Sequence, residues 1–114
     1  MLTLFNAKMI DELMTTYVKG LVAGLGDNLN SVTLFGSCAR GDHEVGSDID
    51  VFILVRDKNP DTVKLINSLS DSIDWQYDTL IANIIRSCDM YDQYKNDSLY
   101  SRIRQEGKVY YGAA

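Results

Sequence analysis

The stretch that decides the fold covers residues 34–55 and reads LFGSCARGDHEVGSDIDVFILV. It contains a Gly-Ser turn at Gly36 and Ser37, followed by an Asp-x-Asp pair at Asp48 and Asp50 that opens a continuous apolar strand. Ten residues separate Ser37 from Asp48. Each half is joined to a short apolar or β-branched run, so the stretch predicts a hairpin-like unit whose two ends meet around one ligand.

The acidic half indicates a cation. Asp48 and Asp50 adjoin the apolar run Val51–Val55, and side chains two apart on a strand share a face, about 7 Å apart along it. Two like charges that converge to about 4 Å repel by about 4 kcal/mol at an effective dielectric near 20. A divalent cation between the two carboxylates replaces this repulsion with attraction. Mg²⁺ takes hard oxygen ligands from carboxylates and substrate phosphates. The pair therefore predicts a site for a metal-bound nucleoside triphosphate.

The Gly-Ser half indicates an anion. Residues 31–35 read as a short strand that Gly36 ends. Glycine tolerates a positive φ and a close ligand, and Ser37 is a favourable N-cap for a short helix that contains Arg40. Free N–H groups, a hydroxyl and a guanidinium together form an anion site, for which phosphate oxygens are the natural ligand.

These residues also have purely structural interpretations. Residues 36–37 alone could form an ordinary strand-to-helix turn, residues 46–48 have turn composition, and Arg40 could be a surface cation. Asp50 resists such an interpretation, because a solvated turn acid need not adjoin five apolar residues. The two motifs at this spacing favour the functional interpretation.

The motifs resemble the signature of the nucleotidyltransferase superfamily that includes DNA polymerase β. The matching segments are GS at 36–37, ARG at 39–41 and SDIDVFILV at 47–55. At this size the chain looks like the minimal nucleotidyltransferases, which commonly pair with a small helical protein of the HEPN class. In that pairing the nucleotidyltransferase is an antitoxin and the helical protein a toxic ribonuclease, and members with intact motifs can transfer AMP from ATP to a tyrosine of the toxin.

The resemblance implies a role for each site residue. The implied nucleotide-binding residues are Gly36, Ser37, Arg40 and Ser47. The implied catalytic and metal-binding residues are Asp48, Asp50 and Asp78, with ATP as substrate and two Mg²⁺ ions.

Two residues are candidates for the third acid of this set. Two-metal phosphoryl transfer commonly uses a further carboxylate to bridge the metals or accept the attacking hydroxyl's proton. In the superfamily it lies on the strand beside the Asp-x-Asp strand. Asp78 opens the strand-like run 78–85 and is the candidate, and Asp74, just before Trp75, is the alternative.

Composition narrows the class of protein. The 114 residues are 46% hydrophobic, which predicts a single domain with its own core. The resemblance implies that residues 1–114 form one nucleotidyltransferase domain. The formal charge of −5 and the scattered Lys and Arg argue against duplex nucleic acid as a partner. Cys38 and Cys88 form no metal-binding spacing, and no apolar run suits a membrane span, so we expect a cytoplasmic protein.

The remaining sequence predicts an α+β fold in which helices flank a small mixed β-sheet. A helical apolar stripe comprises Ile10, Leu13, Met14, Tyr17, Val18 and Leu21. Asn59-Pro60 starts a second helix, residues 88–96 and 98–106 are polar helices, and residues 108–111 form an extended tail.

Two other functions stay open at this stage. The chain could be a binding module that neutralises its partner by occlusion, using a Tyr-rich C-terminal third, since tyrosine is enriched at interfaces. It could also transfer a nucleotide to a small acceptor such as an aminoglycoside, although the resistance enzymes that resemble this motif carry an additional helical domain. Homo- or hetero-oligomers are compatible with each of these functions.

Overall fold

The computed structural model describes residues 6–44 and 46–112. In chain order its elements are α1 (Ala7–Leu25), a 3₁₀ turn (Gly26–Asn28), β1 (Leu29–Phe35), α2 (Ser37–Arg40), β2 (Ile49–Val55), α3 (Pro60–Tyr77), β3 (Ile81–Ser87), α4 (Cys88–Gln93), α5 (Ser98–Glu106) and β4 (Lys108–Tyr111). The predicted α+β class is confirmed. Within the described residues, no helix combines the length and the hydropathy that crossing a bilayer requires.

The four strands form one mixed sheet in the order β3-β2-β1-β4. β1 is antiparallel to β2 and β4, whereas β2 and β3 are parallel. A parallel connection needs a crossover of about a dozen residues or more, which α3 supplies. The extended segment predicted at residues 108–111 is confirmed as a strand, and it pairs with β1 at the sheet edge.

Polar caps determine where the long helices begin. Asn6 Oδ1 accepts a hydrogen bond from Met9 N–H at the start of α1, and Asn59 Oδ1 accepts one from Thr62 N–H at the start of α3. Pro60 takes the first helical position of α3, where its missing N–H has no partner to lose. The predicted Asn-Pro start of this helix is confirmed.

Helices cover both faces of the sheet. α1 and α3 pack on one face, over the main hydrophobic core. α4 and α5 pack on the other, where the ring of Phe52 lies 5.8 Å from that of Tyr91 and 5.6 Å from that of Tyr100, between centroids. Asp50 is two residues before Phe52 on β2 and points to the same side. The acidic pair therefore lies on the α4–α5 side of the sheet.

A polar bridge joins α1, β3 and α3 inside the main core. The buried Tyr17 hydroxyl donates to Asn83 Oδ1 at 2.8 Å, and Asn83 Nδ2 donates to Ser70 Oγ at 2.9 Å. Burial raises the pKa of Tyr17, so this hydroxyl stays a neutral donor. The bridge ties β3 to the two helices that cover this face of the sheet.

Tyr17→Phe is expected to lower the free energy of unfolding by about 1–2 kcal/mol, because Asn83 Oδ1 loses its donor in a buried environment. Chemical denaturation followed by circular dichroism measures the change. Tyr77→Phe is the matched control, because the Tyr77 hydroxyl makes only a 3.4 Å contact with Thr16 Oγ1. Equal losses in the two variants would contradict a special role for the Tyr17 bridge.

Candidate active site

The β1–β2 pair brings the Gly-Ser turn and the Asp-x-Asp pair together. Phe35, the last residue of β1, is the register partner of Asp50 on β2. Gly36 therefore follows directly beside Asp50, and a Cβ atom on Gly36 would collide with Asp50 Oδ2. The Gly-Ser turn and the Asp-x-Asp pair therefore lie side by side, as their spacing in the sequence predicts.

Gly36 is constrained by its backbone as well as by this contact. Its φ of +74° lies in the region that favours glycine. Its carbonyl accepts hydrogen bonds from the N–H groups of Ala39 and Arg40, each at 3.1 Å. Gly36 is therefore the N-cap of α2, and the expectation that Ser37 would be the N-cap is wrong. The positive φ turns the chain one residue earlier, which makes Ser37 the first helical residue.

The two carboxylates of the Asp-x-Asp pair differ in environment. Asp48 precedes β2 and is exposed, whereas Asp50 lies on β2 and is half-buried. Burial raises the pKa of the Asp50 carboxyl, the negative charge of Asp48 raises it further, and the positive charge of Arg40 lowers it. The charged form of Asp50 is thus disfavoured here, and a bound cation would relieve both causes.

Cys38 fixes the start of the acidic segment. Its side chain is buried, and its thiol Sγ lies 3.6 Å from the Asp48 carbonyl oxygen, to which it donates. Burial and the nearby Asp50 charge raise the thiol pKa to about 11. A neutral thiol in this position links α2 to the residue before β2, and so holds Asp48 against the Gly-Ser turn. Sequence reasoning missed this role, since a lone cysteine carries no local signal of its contact.

Arg40 lies at the rim of the site in two ion pairs. Its Nε is 3.2 Å from Asp42 Oδ2, and its Nη1 is 3.1 Å from Glu106 Oε2 at the end of α5. The side chain is 41% exposed, and ion pairs at such positions contribute little to stability. Arg40 could therefore exchange these carboxylates for phosphate oxygens with little loss of folding free energy.

Ser47 belongs to a tight turn before the acidic pair. Its hydroxyl oxygen accepts from Glu44 N–H at 2.9 Å, and its own N–H donates to the Glu44 carbonyl at 2.9 Å. These contacts make Ser47 a loop-closing residue in this structure. Its predicted contact with nucleotide stays a prediction.

The expectation that Asp78 opens the strand beside β2 is wrong. α3 continues to Tyr77, Asp78 is its C-cap with φ 55° and ψ 54°, and β3 begins only at Ile81. The helix persists because Ile73 and Tyr77 extend its apolar stripe onto the core. Asp78 is exposed as a result.

The alternative acid, Asp74, supports the strand instead of the site. Its Oδ1 accepts from Ile81 N–H at 2.9 Å and from the Thr79 hydroxyl at 3.1 Å. These bonds tie the end of α3 to the start of β3. Throughout residues 6–44 and 46–112, no three His, Cys, Asp or Glu side chains are grouped so that they could hold a metal ion.

The fit to Mg²⁺ is therefore partial. Two carboxylates on one face, one of them half-buried beside a like charge, suit a hard cation that draws its other ligands from phosphate and water. The predicted set of three carboxylates with two metal ions is not assembled by the described residues.

A cavity of about 550 Å³ lies on the same side of the sheet, beneath α4 and α5. It is lined by Thr33, Phe52, Leu54, Tyr91 and Arg104 among others. The predicted site residues are not part of this lining: Gly36, Ser37, Arg40, Ser47, Asp48 and Asp50. The cavity is thus separate from the Gly36–Asp50 site.

Solved structures share this fold. A crystal structure of a toxin–antitoxin with AMP-PNP matches with a TM-score of 0.63 and 19% identity, over 87% of this chain and 73% of that one. A structure of a tri-AMPylated Shewanella oneidensis HEPN toxin in complex with an MNT antitoxin matches with a TM-score of 0.54 and 18% identity, over 90% and 72%. At these identities the likeness concerns the fold.

Sequence relatives extend the likeness beyond the fold. A predicted protein adenylyltransferase of Methanocaldococcus jannaschii is 40% identical over 79 residues, 67% of this chain and 78% of that protein. A second one from the same organism is 30% identical over 101 residues, 89% and 97% of the two chains. The sequence profile of the nucleotidyltransferase domain matches residues 19–110. The chain belongs to the nucleotidyltransferase domain family.

Proposed function

We propose that this protein transfers AMP from ATP, with Mg²⁺, to a hydroxyl group of a partner protein, and that it acts as an antitoxin toward a HEPN-type helical partner by modifying a tyrosine. Family membership and the relatives named as predicted protein adenylyltransferases support nucleotidyl transfer. The toxin–antitoxin structures with the same fold, one with AMP-PNP and one with a tri-AMPylated HEPN toxin, motivate the choice of nucleotide and partner. The two free thiols suit a reducing cytoplasm.

The observation that carries the proposal is the contact between the Gly36 turn and the Asp50 carboxylate. Gly36 leaves no side chain between Asp50 and the turn, so a phosphate group on the turn would lie beside the acidic pair. Arg40 is near enough to influence the pKa of Asp50 and could place a positive charge beside the same phosphates. One triphosphate could therefore contact all three groups.

The chemistry is in-line substitution at the α-phosphorus. The acceptor oxygen forms a bond to this phosphorus while the bond to the pyrophosphate oxygen breaks, pyrophosphate leaves, and the acceptor proton passes to solvent water. When bound, Mg²⁺ would neutralise phosphate charge. Asp48 and Asp50 would hold it, the Gly36–Ser37 turn would position the triphosphate, and Arg40 would bind its oxygens.

Arg40→Ala is expected to weaken binding of a non-hydrolysable ATP analogue about tenfold, because one charge-assisted contact to phosphate is lost. Isothermal titration calorimetry measures this change. Arg102→Ala, which removes an exposed arginine on α5, away from the Gly-Ser turn in sequence, is the control. An unchanged affinity in Arg40→Ala would assign Arg40 to its ion pairs with Asp42 and Glu106 alone.

Occlusion is the second candidate, and one observation favours it. Among residues 6–44 and 46–112, no third carboxylate is grouped with Asp48 and Asp50 to serve as a base for the acceptor, so binding without transfer is chemically reasonable. The Tyr-rich third gives it less support, because Tyr91 and Tyr100 pack on each other with centroids 5.2 Å apart and against Phe52. Tyr94 is 53% exposed and is the residue of this group most available to a partner.

One assay separates transfer from occlusion. The protein is incubated with α-labelled ATP, Mg²⁺ and the helical protein encoded beside it, and the partner is then examined for label and for complex formation. Label on a partner tyrosine supports transfer, and a stable complex without label supports occlusion. A Tyr→Phe variant of the labelled partner site should lose the label. Label on an added aminoglycoside, with none on protein, would identify a small acceptor.

A further inference from the structure

The strand beside Asp50 carries no acid on the site's face. β2 and β3 are parallel and in register, with Asp50 opposite Ala82. Register partners on adjacent strands point to the same face and lie about 4.8 Å apart in the hydrogen-bonding direction. Ala82 is therefore the β3 residue placed to reach the cation that Asp50 would hold, and its methyl group offers no ligand.

The other residues of β3 do not compensate for Ala82. Ile84 and Arg86 follow on the same face, whereas Ile81, Asn83 and Ile85 point into the main core. Leu80 lies two residues before Ala82, just before the strand, and is 59% exposed. Its side chain also has no atom that could bind a metal ion.

The described residues contain no group of three His, Cys, Asp or Glu side chains that could hold a metal ion, and several acids have other partners. Asp74 binds the start of β3, and Asp42 and Glu106 bind Arg40. Asp48 is the acid whose charge acts on Asp50. Residues 1–5, 45, 113 and 114, which lie outside the described part, contain no Asp, Glu, His or Cys in sequence.

We infer that the chain is one carboxylate short of a two-metal site, that the vacant position is Ala82, and that the site binds a single divalent ion together with nucleotide. This inference rests on the proposed function, since it describes the metal content of that site. Mg²⁺ binding by one or two carboxylates plus phosphates is a common arrangement, so one ion is chemically sufficient for nucleotide binding.

The test is a count of Mn²⁺ ions bound, by electron paramagnetic resonance, with a saturating non-hydrolysable ATP analogue. After subtraction of the Mn²⁺ held by free analogue, the wild-type chain is expected to bind one ion. Ala82→Asp is expected to bind a second ion, or to bind the first about tenfold more tightly, because ligand charge sets affinity. Ala82→Asn is the matched control, with the same shape and no charge, and should resemble the wild type.

Thermal melts give a readout that does not depend on turnover. Mn²⁺ with analogue should raise the Tm of Ala82→Asp more than that of Ala82→Asn. Two ions in the wild type would overturn the inference even if Ala82→Asp failed to fold. A loss of Mn²⁺ affinity in Asp78→Asn or Glu106→Gln as large as in Asp50→Asn would also overturn it, because it would reveal a third carboxylate in the chain.

The outcomes distinguish this inference from the proposed function. One Mn²⁺ ion in the wild type with no label on any acceptor would refute transfer and leave the inference intact. Label transfer by a wild type that binds two ions would refute the inference alone.

Discussion

Asp50→Asn is expected to lower the rate of AMP transfer by at least about a thousandfold, which corresponds to ~4 kcal/mol at 1.36 kcal/mol per tenfold change. The reason is that Asp50 is the half-buried member of the acidic pair and lies against the Gly36 turn. Asp48→Asn is expected to act in the same direction. Single-turnover transfer of label from ATP, at saturating partner, measures the effect.

Stability provides the internal control for this prediction. Asparagine keeps the shape of Asp50 but removes a charge that burial and Asp48 both disfavour. The metal-free Asp50→Asn protein should therefore melt at a higher temperature than the wild type, and Glu12→Gln, at an exposed position on α1, should not. A transfer rate within tenfold of wild type in a folded Asp50→Asn variant would remove Asp50 from the catalytic set.

The gain in stability of Asp50→Asn over the wild type should be larger at neutral pH than at acidic pH. A raised folded-state pKa means that the native protein binds more protons than the unfolded chain around the pKa of Asp50, so this residue makes stability fall as pH rises. The difference in Tm between variant and wild type, in EDTA, should be largest near about pH 7 and should shrink toward about pH 4 as the carboxyl protonates. A difference that grew on acidification would contradict the assignment.

Gly36→Ala is expected to have the second large effect. A methyl group there meets Asp50 Oδ2, and the φ of +74° is unfavourable for alanine. We expect a loss of about 3–4 kcal/mol in the free energy of unfolding, from the strained backbone together with the collision. If Asp50 rotates to avoid the methyl, Mn²⁺ binding is lost instead. Denaturant titration and the Mn²⁺ measurement together detect either response.

Gly41→Ala is the matched control for Gly36→Ala. Gly41 has a φ of +84°, yet an added Cβ there meets no heavy atom within 4 Å. This variant should therefore cost only the backbone strain, about 1 kcal/mol, and leave Mn²⁺ binding unchanged. Equal losses of unfolding free energy in the two variants would show that the contact with Asp50 does not contribute to the effect of Gly36→Ala.

Most of the fold followed from local patterns because those patterns have local physical causes. The Asn59-Pro60 start of α3 rests on capping, which involves only near neighbours in sequence. The pairing of β4 with β1 and the bulge between Val32 and Thr33 depend on tertiary packing, and no local signal specifies them.

The part of the site that lies within one short segment could be predicted from the sequence, whereas the part that depends on a distant segment could not. Gly36, Asp48 and Asp50 belong to one hairpin-like unit, so spacing alone predicted their meeting. The third acid had to come from a distant segment whose start depends on how far α3 extends. Asp78 therefore looked like a strand opener in the sequence, although tertiary contacts of Ile73 and Tyr77 keep that segment helical.

The parallel placement of β3 beside β2 also has an evolutionary consequence. The turn and the acidic pair are inherited together on contiguous chain, whereas the neighbour of Asp50 belongs to a separate segment joined through an 18-residue helix. Evolution can therefore vary the residue opposite Asp50, and with it the number of carboxylates on this face, while the contact between Gly36 and Asp50 stays intact.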